Sequence, residues 1–191
     1  MPSGSRTVWF MTENPGKFRE ASSILVSRGI RVNQLKRSKL EIQDERLENI
    51  ATYALKTALE HHPGPMVIED SGLFIQTLKD FPGPFSSHAL RTIGLNGILN
   101  LLRDNTRRKA SFRSAVVFGS TTTKPHVFTG IVNGTISRKI LGSNGFGFDP
   151  IFIPNGSTES FGQSSNAFKN SHSHRAKAFL KFASWYQRKD F

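Results

Sequence analysis

The chain has 191 residues, 37% of them apolar and 21% charged, which is the composition of a folded domain and not of a disordered segment. It has no cysteine, so a disulfide framework, thiolate catalysis and any Cys-based zinc site are excluded. Twenty-six Lys and Arg against 14 Asp and Glu leave a formal charge of +12, an attraction for nucleotides, nucleic acids or acidic membranes, although most of these cations flank predicted elements and read as solvated surface.

The stretch ending at Met11 carries one Arg and an apolar run too short for a secretory signal, and no later run is long enough to cross a bilayer, so a cytoplasmic protein with no membrane contact is expected. Thr7 to Met11 reads as a strand, and Thr12-Glu13-Asn14-Pro15-Gly16-Lys17 as the turn into a helix whose apolar face holds Phe18, Ala21, Ile24 and Leu25. Gly29 stops that helix before a second strand around Ile30 to Leu35. Leu47, Ile50, Ala51, Ala54, Leu55, Ala58 and Leu59 form a second helical stripe. Met66-Val67-Ile68 is the next strand, predicted to end in the acids Glu69-Asp70 and a Ser71-Gly72 turn. Strand and helix alternating in this way predict an α/β sheet with parallel pairing. Ser111 to Phe118 and His126 to Ile140 predict an antiparallel hairpin joined by a Thr-rich turn through Lys124-Pro125, in the same sheet or a second lobe. From Ser171 onward Ala176, Phe179, Leu180 and Ala183 mark a C-terminal helix with a basic outer face. Residues 1–191 are read as a single unit.

Four segments carry residue types suited to chemistry. The first is Thr12 to Lys17: a helix start offers unpaired N–H groups, a positive dipole end and the cation Lys17 to a phosphate, although taken alone it reads more readily as an ordinary helix cap. The second is Glu69-Asp70-Ser71-Gly72-Leu73, since ligands of open α/β sheets bind at the carboxyl ends of strands and carboxylates there hold a hard cation such as Mg2+. Glu41, in Lys39-Leu40-Glu41-Ile42-Gln43, is a further acid able to share that ion. The third is Gly142 to Pro150, where glycines permit close backbone approach, Phe146 can stack on a base and Asp149 can accept from ring N–H groups. The fourth is Lys169 to Arg175: Ser173 suits an N-cap, and His174-Arg175 in a first helical turn oppose the dipole, which invites an anionic or carbonyl-rich ligand.

In order and spacing these segments resemble the inosine/xanthosine triphosphate pyrophosphatase family. The family pattern T-x-N-x-x-K is met by Thr12, Asn14 and Lys17, and E-D-S-G-L by Glu69 to Leu73. P-G-x-[YF]-S is met by Pro82 to Ser86, G-F-G-[FWY]-D-P by Gly145 to Pro150, and S-H-R by Ser173-His174-Arg175. The resemblance implies an elongated mixed β-sheet flanked by helices, two lobes with a central active-site cleft, a homodimer, and hydrolysis of ITP, dITP or XTP to the monophosphate and pyrophosphate. It implies that Asn14 and Lys17 hold the triphosphate, with Thr12 and Ser71 also binding substrate, that Glu41 and Asp70 hold magnesium, and that Asp70 is catalytic as base, ligand or both. Phe146 would stack on the purine, and Asp149, His174 and Arg175, with Lys169, would read its 6-keto edge. Two departures stand out: Gln163 replaces an acid usual in the family, which puts the support of the base-reading segment in question, and His88 has no assigned role. A nucleic-acid-binding protein is the rival from another class, and Glu41, Glu69 and Asp70 weigh against it because they repel a phosphate backbone.

Overall fold

The computed structural model describes residues 6–189. Residues 1–5, the start of the stretch examined above for a leader, and residues 190–191 lie outside the described residues. Strand β1 (Thr7–Met11) leads into helix α1 (Pro15–Val26), β2 (Arg31–Leu35), α2 (Leu47–Leu59) and β3 (Met66–Ile75). The caps act where the sequence places them: Asn14 Oδ1 accepts from Gly16 N and Lys17 N, Pro15 opens α1, and Gly29 takes a positive φ after it. β1 pairs in parallel with both β2 and β3, as two helical crossovers require.

β3 does not end at the acids. It runs ten residues and pairs antiparallel with β5 (Lys109–Ser120) along its whole length, Met66 opposite Gly119 and Ile75 opposite Ala110. Ser71-Gly72 is therefore strand and not turn. The glycine serves close approach instead, since a Cβ on Gly72 would lie 2.1 Å from the carbonyl oxygen of Gly83. Gly83 belongs to the two-residue strand β4 (Pro82–Gly83), which pairs with β3 at Leu73 and Phe74. Ser86 clamps the two together: its Oγ donates to Gly83 O at 2.7 Å and accepts from Leu73 N at 2.8 Å. The Pro82 to Ser86 motif thus holds the strand that carries the acids.

β5 returns through a tight turn into β6 (Thr123–Ile136), and β7 (Phe152–Pro154) pairs with the end of β6, giving the sheet order β2-β1-β3-β5-β6-β7 with β4 beside β3. Lys124-Pro125, expected in the turn, lies within β6, and β6 stops at Ile136, short of the expected Ile140. Short helices α3 (Ser86–Thr92), α4 (Gly94–Leu101) and α5 (Asn166–His172) have no counterpart in the sequence reading, and the C-terminal helix α6 (His174–Tyr186) starts directly after Ser173, the cap expected there, with Ser171 in α5. No helix among the described residues is long and apolar enough to cross a membrane.

Two apolar cores share the long strands. Val67, Val116 and Phe118 pack at one end with Phe10, Leu25, Phe179 and Phe182, covered by α1 and α6. Leu73, Ile75, Ala110 and Phe112 pack at the other with Ile98, Leu102, Phe152 and Phe161. A third cluster, Met11, Leu55, Met66, Ile68 and Val117, lies under α2. Glu69 to Gly72 occupy the middle of β3, between the two ends, where neither core fills the space.

Candidate active site

Side chains alternate across a strand, so the adjacent acids Glu69 and Asp70 point to opposite faces of β3 and do not form one two-carboxylate ligand. Their partners differ accordingly. Glu69 is fully buried: its Oε2 lies 2.9 Å from Lys17 Nζ, and its Oε1 lies 3.1 Å from Arg175 Nη2 and accepts from Ser114 Oγ at 2.8 Å. Burial opposes its charge, but Arg175 and then Lys17 overcome this and hold the carboxyl well below the usual carboxylate range. Arg175 Nη2 also donates to Ser71 Oγ at 3.0 Å.

Asp70 Oδ1 accepts from Lys39 Nζ at 2.9 Å, and the same ammonium lies 3.0 Å from Glu41 Oε1 and 3.2 Å from Glu69 O. Burial pushes the Asp70 carboxyl up, against the pull of Lys39 and Lys17. Glu41 is exposed, and among the described residues no cluster of three or more His, Asp or Glu is assembled to hold a metal unaided. One or two carboxylates suit magnesium, which takes its remaining ligands from water and phosphate.

The helix start beside these acids differs from the expectation. Its first N–H groups are not free, because Gly16 N and Lys17 N both donate to Asn14 Oδ1, and Thr12 Oγ1 accepts from Asn14 N. What remains for a phosphate is the helix dipole, the Asn14 amide nitrogen and the Lys17 charge.

At the far side of the cleft Asp149, which the sequence left without a structural task, organises the aromatic loop: its Oδ2 accepts from Phe146 N at 2.7 Å and from Lys169 Nζ. Burial raises its carboxyl above the ordinary value, offset by Lys169. Gly145 and Gly147 flank Phe146 with positive φ. The Phe146 ring lies 4.3 Å from Lys169 Nζ and 5.4 Å from Arg175 Cζ, and a Cβ on Gly16 would come within 2.5 Å of its edge.

The cations Lys169 of α5 and Arg175 of α6 are answered from inside. Glu20, on α1, pairs with Lys169 at 2.7 Å and with Arg175 at 2.6 Å. Burial works against Arg175's charge, but Glu69 and Glu20 raise its pKa. His174 is stacked on Phe112 at 4.7 Å, and burial, then Arg175, push its pKa well below 6.5, so the ring at the helix start is neutral and sets no charge against the dipole. Among the described residues His174 Nδ1 and Arg175 Nε are buried without a hydrogen-bond partner.

Every predicted site residue, from Thr12 through Glu41, Asp70 and Phe146 to Arg175, lines one cleft of about 420 Å³. A larger open hollow of about 660 Å³ beside Phe128 and Trp185 has no acid in its lining. The sequence reading missed Glu20, Lys39 and Ser114. Glu20 had a signal: it is the single acid of α1 and lies one turn from Lys17. Gln163 does not take up the support of the basic segment. It is exposed and closes its own turn, Oε1 accepting from Ser160 N, while Glu20 supplies the acid. His88 lies exposed on α3.

The Ham1 family model matches residues 8–185. The dITP/XTP pyrophosphatase of Thermococcus kodakarensis is 44% identical over 176 residues, 92% of this chain and 95% of that one. Its counterpart from Pyrococcus horikoshii is 44% identical over 178 residues, covering 93% and 95%. A HAM1 protein from Coxiella burnetii superimposes with a TM-score of 0.85 at 24% identity over 96% of this chain and all of its own, a likeness of fold. The nucleoside-triphosphatase / dITP/XTP pyrophosphatase from Mycobacterium abscessus gives 0.72 at 27% identity, covering 92% and 98%. On a match spanning nearly its whole length, the chain belongs to the Ham1 family.

Proposed function

We propose that the chain hydrolyses the non-standard purine nucleoside triphosphates ITP, dITP and XTP to the monophosphate and pyrophosphate, removing them from the nucleotide pool. The observation that carries this reading is one cleft with an acid and a cationic helix start at one side and an aromatic ring between two cations at the other. The names borne by the archaeal relatives support it. The reading includes a single domain and a cytoplasmic setting, expected from length and composition, and two lobes and a homodimer, drawn from the family resemblance.

Magnesium fits the donor set. Asp70 and Glu41 offer hard carboxylate oxygens close enough that one cation, the Lys39 ammonium, touches both. When bound there it would act as a Lewis acid, neutralising phosphate oxygens as the anhydride is cleaved. The chain's own groups do the rest. Lys17 and the dipole of α1 place the triphosphate, and Asp70 takes the proton of the attacking water at Oδ2, the oxygen that Lys39 leaves free. Water adds to the α-phosphorus, the bond from that phosphorus to the bridging oxygen breaks, and pyrophosphate leaves.

Base choice follows from the unpaired donors. A carbonyl at C6 of hypoxanthine or xanthine accepts from Arg175 Nε or from the single N–H of the neutral His174 ring, whereas the amino group of adenine leaves them buried and unsatisfied. That penalty, about 1–3 kcal/mol, corresponds to a preference of roughly 5–150-fold. Pyrophosphate release from ITP, XTP, GTP and ATP with magnesium is the test, and ITP and XTP should exceed ATP by at least that factor. Equal rates with ITP and ATP would refute the reading. Salt-sensitive binding of nucleic acid without turnover would favour the rival class.

The Phe146 seat gives a second expectation. Gly16→Ala places a methyl group against the ring and should raise the KM for ITP about tenfold, since aromatic stacking contributes about 0.5–1.5 kcal/mol. In a Phe146→Ala background the same substitution should add nothing. Additive effects would show that Gly16 acts elsewhere.

A further inference from the structure

Lys39 lies between β2 and α2 in a segment of no regular structure, and nothing in the motifs above gives it a role. Its ammonium is nevertheless surrounded by three oxygens from three positions: Asp70 Oδ1 at 2.9 Å, Glu41 Oε1 at 3.0 Å and Glu69 O at 3.2 Å. Its side chain is only 17% exposed, so the contact is a seated one and not a passing surface pair. Two carboxylates and a carbonyl are the ligand types a hard divalent cation takes, and the ammonium already sits among them. A second cation at that position would stand within van der Waals reach of the first, in a partly desolvated site where like charges repel strongly.

We propose that Lys39 is the resident counter-cation of the Asp70 and Glu41 carboxylates, which a divalent metal must displace to bind, so that Lys39 sets the metal affinity of the cleft. The inference rests on the reading of Asp70 and Glu41 as metal ligands. In the metal-free protein Lys39 compensates carboxylates that would otherwise be left unpaired beside each other, which is costly when they are shielded from water. Metal binding then exchanges one cation for another, and its affinity is the difference between the two.

Magnesium alone, without nucleotide, is titrated calorimetrically into wild type, Lys39→Met, Lys39→Gln and Lys39→Arg. Loss of the charge in the Met and Gln variants is expected to tighten the magnesium Kd about tenfold or more, a shift comparable to removing one neighbouring like charge. Lys39→Arg should bind as weakly as wild type. Thermal unfolding gives a readout independent of turnover: the melting temperature of Lys39→Met should rise more on adding magnesium than that of wild type. Equal Kd values in wild type, Lys39→Met and Lys39→Gln would overturn the inference and leave the magnesium reading standing. No magnesium binding by any of these proteins, together with ITP hydrolysis that is indifferent to magnesium, would overturn both. Should Lys39→Met fold poorly, the Gln variant carries the comparison.

Discussion

Asp70→Asn is expected to lower ITP turnover by about 10²–10⁴-fold, the range associated with loss of a positioned general base, and to leave the fold intact. The amide has the shape of the carboxylate, so the strand pairing of Asp70 with Ala115 is undisturbed. What it lacks is the charge for a cation and the oxygen that takes a proton. The sign of the pH dependence follows from the carboxyl's environment. Burial raises its pKa above the ordinary aspartate value, against Lys39 and Lys17, so activity that requires the ionised form should fall on the acid side at a higher pH than for a solvated aspartate. A raised folded pKa also means that Asp70 favours the folded state at low pH and that this contribution is lost as pH rises through that value. At neutral pH the charge therefore does not hold the protein together, and the Asn variant should melt within about 4 °C of wild type, roughly 1 kcal/mol for a chain of this size. Measured kcat and melting temperature decide the matter. Near-normal turnover in the Asn variant would remove Asp70 from the reaction.

Glu69→Ala should have the opposite profile. It strips the counter-charge from Arg175 and Lys17, and Arg175 is buried at 1% exposure. Breaking a buried pair by removing one partner costs about 3–5 kcal/mol, which corresponds to a fall of roughly 6–20 °C in melting temperature. The folded carboxyl is held below its ordinary value, so its contribution is fully present above the unfolded glutamate pKa and declines only as pH falls through the folded one. The gap in stability between wild type and variant should accordingly be constant at neutral pH and narrow in acid, below about pH 4.3. Urea melts across that range measure it. A variant as stable as wild type at pH 7 would mean that Arg175 and Lys17 find other compensation.

The same network changes what Arg175 can be asked to show. Its guanidinium bonds Glu20, Glu69 and Ser71, so removing it disturbs the packing of α6 against α1 and β3 as well as any base reading. Gly16→Ala and Phe146→Ala are cleaner tests of the base side, because each alters the ring's seat without stranding a buried charge.

By itself the sequence determined the periodic elements and the residues of the cleft. Apolar spacing places α1 and α2, caps at Asn14 and Ser173 fix two helix starts, and the site residues expected from the motifs and Glu41 all line one cleft. These signals are legible because they are local: a helix face, a cap or a glycine at positive φ depends on residues a few positions apart. Tertiary structure alone decided the rest. Ser71-Gly72 has turn composition, and only the ladder to β5 and the approach of Gly83 make it strand. Strand alternation then sends Glu69 and Asp70 to different faces, one to bind the cations of α1 and α6 together and the other toward Lys39 and Glu41. Glu20, Lys39 and Ser114 acquire their roles from partners 155, 31 and 45 residues away. Charge pairing at such distances leaves no periodic trace in the chain, because it is set by which elements the two cores bring together and not by the order of the residues.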